Sequence, residues 1–262
     1  MMTYPEAVML RRSSRTFKPA LSEDDSRLLD RILNRLPKRH FGQGMIAIRR
    51  IDCPDGVRAP GTYGFISGAR HYLAACTSDA VNALTYIDCG MICELAAVYA
   101  TSEGLGTCLM TGSLRDSQFA RAAGLGGADS LLLVSPVGRP RAPRLAETIM
   151  ARIARSSSRQ PMNRRIFSDS AMTVPWQAGD GDEPLLEALQ GLCRAPSAYN
   201  RQPWRVVVGD DKIEIHNAVT DPASWISIGC AVTNYCIMIG IRSDSLTIGG
   251  TSAAPVIIAP KP

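Results

Sequence analysis

Two long apolar segments constrain this 262-residue chain more than anything else in it. YIDCGMICELAAVYATSEG, beginning at Tyr86, aligns without gaps with WISIGCAVTNYCIMIGIRS, beginning at Trp225. Both open on an aromatic residue followed by isoleucine, and both place a glycine five residues in, at Gly90 and Gly229. Each reads as a long helix that is apolar on most sides, the first ending at Gly104 and Gly106. A helix that is apolar all round is a buried one. Each carries more apolar surface than half a chain can cover, so the halves are expected to pack on each other.

The surroundings of the two helices repeat as well. In the first half, LSEDDSRLLDRILNRL has a capping serine at Ser22, an acidic first turn and leucines at helical spacing. MIAIRRI reads as a strand, GTYGFISGARHYLAAC as a glycine-punctuated loop feeding a strand, and DSLLLVSPVGRP as a strand buried on both faces. In the second half, PLLEALQGLC reads as a helix, WRVVV and KIEIHNA as strands, and SAAPVIIAPKP as a closing strand. Between them Pro140 to Arg165 is basic, with a serine run, and reads as a connector. Residues 1–150 and 151–262 are therefore expected to be tandem copies of one α+β unit. A period this long excludes a solenoid.

With 45% apolar and 20% charged residues, the chain can build a large core. A net charge of +5, with few aromatics, is too mild and diffuse to argue for nucleic acid. The eight cysteines show no repeated C-x-x-C spacing, so no metal site is expected, and reduced thiols serving as small core residues fit a cytoplasmic protein. No signal peptide is evident, and no span of roughly 18 uncharged apolar residues is found, so no membrane crossing is expected.

Three short stretches carry chemistry. RRSSRTF, from Arg11 to Phe17, gathers arginines and serines into a miniature anion site. RAPSAYNRQPW runs Pro196, Ser197, Asn200 and Gln202 through a polar corner before Trp204; as local structure alone it is a capped turn. GLGTCLMTG, from Gly104 to Gly112, ends a helix and lets backbone approach a flat ligand, although it fits neither phosphate-loop pattern. The three histidines, His40, His71 and His216, sit in no motif and read as structural.

Together, R-R-S-x-R-x-F, A-P-S-x-x-N-x-Q-P-W and a long helix ending in G-L-G-x-C resemble the FMN-dependent nitroreductase family. The order departs from the common members, which carry both motifs in the first third of each subunit of a homodimer. Here the arginine motif lies in the first half and the proline–tryptophan corner in the second. The chain thus resembles a fused, pseudo-dimeric branch whose halves hold complementary parts of one site. GTYGFISGARHYLA is similar to that branch too.

The resemblance implies one FMN per chain. It puts Arg11 and Ser13 on the phosphate, Arg12 beside the ribityl-phosphate and Arg15 at the pyrimidine edge, where a cation stabilises the reduced ring. Ser197 and Asn200 would reach the ring and ribityl from the other half, within a corner shaped by Pro196 and Gln202. Met110, Thr111 and Gly112 would bring backbone to the reactive edge, and Arg159 would complete the phosphate clamp. Trp204 would anchor its strand rather than touch the cofactor. The implied chemistry is ping-pong hydride transfer from NADH or NADPH to a nitroaromatic, quinone or similar acceptor, with no catalytic side chain. A flavin-binding storage or sensing protein, a dehalogenase and a dehydrogenase are the alternatives. The expected assembly is a monomer or weak homodimer.

Overall fold

Reciprocal caps begin the first two helices. Thr3 accepts from the Glu6 amide at 3.3 Å while the Glu6 carboxylate accepts from the Thr3 amide at 2.7 Å, starting helix α1 (Tyr4–Leu10). Ser22 caps α2 (Glu23–Asn34) as the sequence predicts, with Asp25 answering it. Asp25 also pairs with Arg139 at the end of the first sheet, and Arg139 donates to the Glu103 carbonyl at 2.9 Å. One guanidinium thereby ties α2 to the end of the first long helix. The computed structural model describes residues 2–42, 44–52, 66–111, 118–127, 129–142 and 158–262.

The first half continues with β1 (Ala47–Asp52), β2 (His71–Thr77), α3 (Ala83–Ser102), β3 (Gly106–Thr107), α4 (Gln118–Ala122) and β4 (Ser130–Gly138). The second half holds β5 (Ile166–Phe167), α5 (Glu183–Cys193), β6 (Trp204–Val208), β7 (Lys212–Asn217), α6 (Pro222–Ile239), β8 (Thr247–Gly250) and β9 (Pro255–Pro260). The first sheet has the order β1-β2-β4-β3 and is antiparallel throughout. In the second, β6-β7-β9-β8 run in the corresponding order, also antiparallel, with β5 added in parallel beside β6. Helix, hairpin, long helix and two strands thus follow one another in the same sequence on both sides.

The two long helices cross at the glycines that the sequence aligns. A Cβ on Gly90 would collide with the carbonyl oxygen of Ile226, and one on Gly229 with that of Ile87. Ile87 and Ile226 are themselves aligned, so the approach is reciprocal. Thr233 donates its hydroxyl to the Met91 carbonyl at 3.1 Å, and the Cys230 thiol to the Gly90 carbonyl at 3.5 Å. Glycine is needed here for backbone proximity, which such side-chain-to-backbone bonds reward.

One core cluster runs through both halves. It joins Ile46 just before β1, and Ala75 and Leu133 of the first sheet, to Val206, Ile213 and Ile257 of the second through residues of α3, α5 and α6. Trp204 is fully buried in it, as expected for a strand anchor. All seven cysteines among the described residues are free and buried; Cys53 lies outside the described residues.

One sequence expectation needs correction. Ala83–Ser102 and Pro222–Ile239 are each long and apolar enough to cross a membrane, with mean hydropathy 1.3 over their best windows. Asp88 and Glu94 interrupt the α3 span, but α6 carries no charged residue, so the expectation that no uncharged apolar span of this length exists fails at α6. In each helix 72% of the window is buried inside the protein, which is how a core helix satisfies the same composition.

Candidate functional site

Arg11 closes helix α1, its amide bonded to the Ala7 carbonyl at 2.8 Å, and this turn aims its side chain inward. Its guanidinium meets Glu94 of α3 at 3.0 Å, and both side chains are almost completely withdrawn from solvent. The pair is close but poorly aligned: Arg11 Nε and Nη1 and both Glu94 oxygens lack a well-directed hydrogen-bond partner among the described residues. Distance rather than angle makes this an electrostatic contact, and it leaves buried hydrogen-bonding capacity unused. Burial pushes the Glu94 carboxyl up to about 7, with Arg11 and the Asn234 amide of α6 pulling the other way.

Arg159, an exposed residue of the connector, acts on this pair through its charge. Glu94 and Arg11 both act on it electrostatically, and its own pKa is lowered by burial first and then by repulsion from Arg11 and Arg194. Its guanidinium donates to the Asn200 side-chain oxygen at 2.9 Å and to the Arg194 carbonyl at 3.0 Å. The corner closes over this segment. Asn200 donates to the Ser158 carbonyl at 2.8 Å, Gln202 accepts from the Gln160 amide at 2.9 Å, and the Ser197 hydroxyl accepts from the Gln202 amide at 3.0 Å. Ser197 therefore serves the corner as an acceptor, without capping the short 3-10 turn at Ala198–Asn200.

The corner is strained. Tyr199, Asn200 and Gln202 adopt φ of 52°, 55° and 51°, the left-handed region that favours glycine. Each such residue costs about 1–2 kcal/mol, and such strain collects where function over-determines the backbone. Tyr199 is also 78% exposed, with the Arg201 guanidinium 5.3 Å from its ring centre.

The rest of the arginine motif wraps the strand after α3. Ser13 bridges Thr107, and the Ser14 amide donates to the Thr107 carbonyl at 2.8 Å. Cys108 lies next to them. Burial raises its thiol pKa, while Arg15, the Ser13 hydroxyl and Arg11 oppose the rise. Ser13, Arg15 and Arg11 therefore share one environment with the G-L-G-T-C turn. Arg12 is exposed and Pro196 half-buried. Met110 pairs with Val134 and packs on the cluster around Tyr72 and Phe119. Thr111 is half-buried, and Gly112 lies outside the described residues.

Sequence reasoning missed Glu94 and Asn234. The signal was present, because each is a polar residue inside a helix otherwise apolar all round, and such a residue needs a partner. It also missed Arg194 and Ser158, which contribute backbone carbonyls and carry no side-chain signature. A cleft of ≈300 Å³ lies elsewhere, lined by Lys38, Arg49, Asp79 and Asp129 among others, and includes no residue of the three motifs. Its carboxylates already accept from backbone amides, Asp79 from Met45 and Asp129 from Gly126. No group of three or more His, Cys, Asp or Glu suited to a metal occurs among the described residues.

This architecture defines a nitroreductase-like α+β protein. The chain belongs to the family described as "Putative TM nitroreductase", whose profile matches residues 4–239. A crystal structure titled a "putative nitroreductase" from Thermotoga maritima aligns over 100% of this chain and 95% of its own, with TM-score 0.64 and 17% identity. An FMN-bound nitroreductase from Desulfitobacterium hafniense aligns over 55% of this chain and 93% of its own (TM-score 0.43, 17% identity). The NADPH:FMN oxidoreductase from Vibrio harveyi, complexed with NAD+, aligns over 54% and 73% (TM-score 0.41, 18% identity). No curated protein matches.

Proposed function

We propose that the chain is an FMN-dependent oxidoreductase of nitroreductase type, with one flavin held between two tandem halves, 1–150 and 151–262. What supports this is that Arg11, from the first half, pairs with buried Glu94, while Arg159, from the second, acts electrostatically on that pair and is held by the Asn200 corner. Neither motif has a counterpart in the other half, so a complete phosphate clamp requires both. Arg11 also has the signature of a site made for an anion, a buried guanidinium whose Nη1 has no hydrogen-bond partner among the described residues. The residues therefore fit a phosphate-bearing cofactor.

In this assignment Arg11, Ser13 and Arg159 hold the phosphate, with Arg12 beside the ribityl-phosphate. Arg15 lies at the pyrimidine edge, where its charge stabilises electron density gained on reduction. Ser197 and Asn200, in the corner shaped by Pro196 and Gln202, orient the ribityl and ring. Met110, Thr111 and Gly112 line the reactive edge with backbone. Bound FMN supplies two-electron chemistry, taking a hydride from NADH or NADPH and passing it to a nitroaromatic, quinone or similar acceptor. No acid, base or nucleophile from the chain is required, and the side chains bind and orient. The assignment extends to a cytoplasmic protein that is a monomer or weak homodimer.

Purified protein is expected to be yellow, to release FMN on denaturation and to carry about one FMN per chain. Anaerobic NADH or NADPH should bleach it, and a quinone or nitro compound should restore the colour. A colourless protein unchanged by added FMN would defeat the cofactor assignment, and two flavins per chain the split site. A flavin that neither nucleotide reduces would point to storage or sensing instead.

A further inference from the structure

Building on the FMN assignment above, we propose that Glu94 stands in as counter-anion for Arg11, so that a phosphate arriving at Arg11 drives a proton onto Glu94. The geometry supplies the reason. Glu94 is wholly buried between α3 and α6, and its nearest compensating charge is the Arg11 guanidinium at 3.0 Å. The same guanidinium is the phosphate ligand of the proposed site. Two anions competing for one buried cation cannot both remain ionised without a large electrostatic cost.

The local pairing gives the direction. Arg11 is the cation in direct contact with the buried Glu94. A phosphate that takes over that guanidinium leaves the carboxylate uncompensated in a buried site unless it becomes its uncharged acid. The proton comes from bulk water or buffer and binds a Glu94 carboxyl oxygen, and no other bond is made or broken. The end of α1 presents Arg11, the connector presents Arg159 with Arg194 behind it, α6 presents Asn234 and Cys230, and α3 itself presents Cys93. Burial holds the Cys230 thiol well above its ordinary value, so it stays protonated. Glu94, raised by burial to about 7, is the group able to exchange a proton near neutrality.

The test is calorimetric titration of flavin-stripped protein with FMN, run in buffers of different ionisation enthalpy, with riboflavin as the phosphate-free control. FMN binding should take up about half a proton at about pH 7 and close to one at about pH 8, and riboflavin none. The FMN dissociation constant should rise by up to about tenfold per pH unit above about 7. Glu94→Gln mimics the protonated acid. It should abolish the uptake, flatten the pH dependence and bind FMN more tightly than wild type at about pH 8, a gain that mere structural damage would not produce. Proton-silent FMN binding by the wild type, or uptake that persists in the variant, overturns the coupling and leaves the FMN assignment standing. Absence of FMN binding overturns both. Should Glu94→Gln fail to fold, the wild-type contrast between FMN and riboflavin decides.

Discussion

At the scale of single residues, the chain concentrates cost in two places, the buried Arg11–Glu94 pair and the left-handed corner at Tyr199–Gln202. The first makes a stability prediction independent of any ligand. The folded pKa of Glu94, about 7, lies above the ordinary 4.5 of a glutamate, so the native state binds the proton more tightly than the unfolded chain. The associated stability is fully present below pH 4.5 and is lost as pH rises through about 7. Urea unfolding of wild type should therefore show stability falling across that window, and Glu94→Gln should remove this component. An unchanged slope in the variant would mean that Glu94 ionises normally. Asp25 works in the opposite sense. Its hydrogen bond from Arg139 is the largest influence and lowers its pKa, so its contribution is present at neutral pH and is lost in acid. Acid-unfolding curves should show Asp25→Asn less sensitive than wild type below about pH 4.

At the scale of elements, the α3–α6 crossing is the joint on which the fold turns. Gly90→Ala would place a methyl group on the Ile226 carbonyl, backbone that cannot swing aside. The expected loss is about 3 kcal/mol, the upper end of the usual overpacking cost. Gly127→Ala, with nothing within 4 Å of the added methyl, should change stability by less than about 0.5 kcal/mol. Equal denaturation midpoints for the two variants would rule out a glycine-tight crossing. Most elements were legible at this scale. The long helices and longer strands announce themselves by period and apolar run, and Ser22 marks the start of α2. Helix α1 was readable in principle from Thr3, Pro5 and Glu6, which spell its capping box, but seven residues offer little periodicity. Strands β3 and β5, two residues each, have no periodicity at all, because their pairing is decided by neighbours distant in the chain.

At the scale of the whole molecule, the shared core predicts that neither half is self-sufficient. Expressed alone, 1–150 should leave α3 without α6, and 151–262 should leave α6 without α3. Each fragment should be aggregated or unfolded by circular dichroism and gel filtration, and co-expression should rescue a soluble pair. A fragment that folded alone with cooperative unfolding would contradict the continuous core. The full chain should elute as a monomer or weak dimer, since the apolar faces that would otherwise drive assembly are buried against each other.

The sequence by itself determined the periodic elements, the two helices too apolar to be anything but buried, and the aligned glycines at which they meet. It also carried the three motifs of the proposed site, because those depend on residue type and local spacing. Only the tertiary structure decided that Arg11 finds Glu94, 83 positions further along, and that Arg159 and the Asn200 corner enter the same electrostatic neighbourhood from the other half. It also set Met110 against Val134. The physical reason is the same in each case. Period and capping act within a few residues, whereas a buried charge is paired by whichever element the packing of the long helices brings beside it.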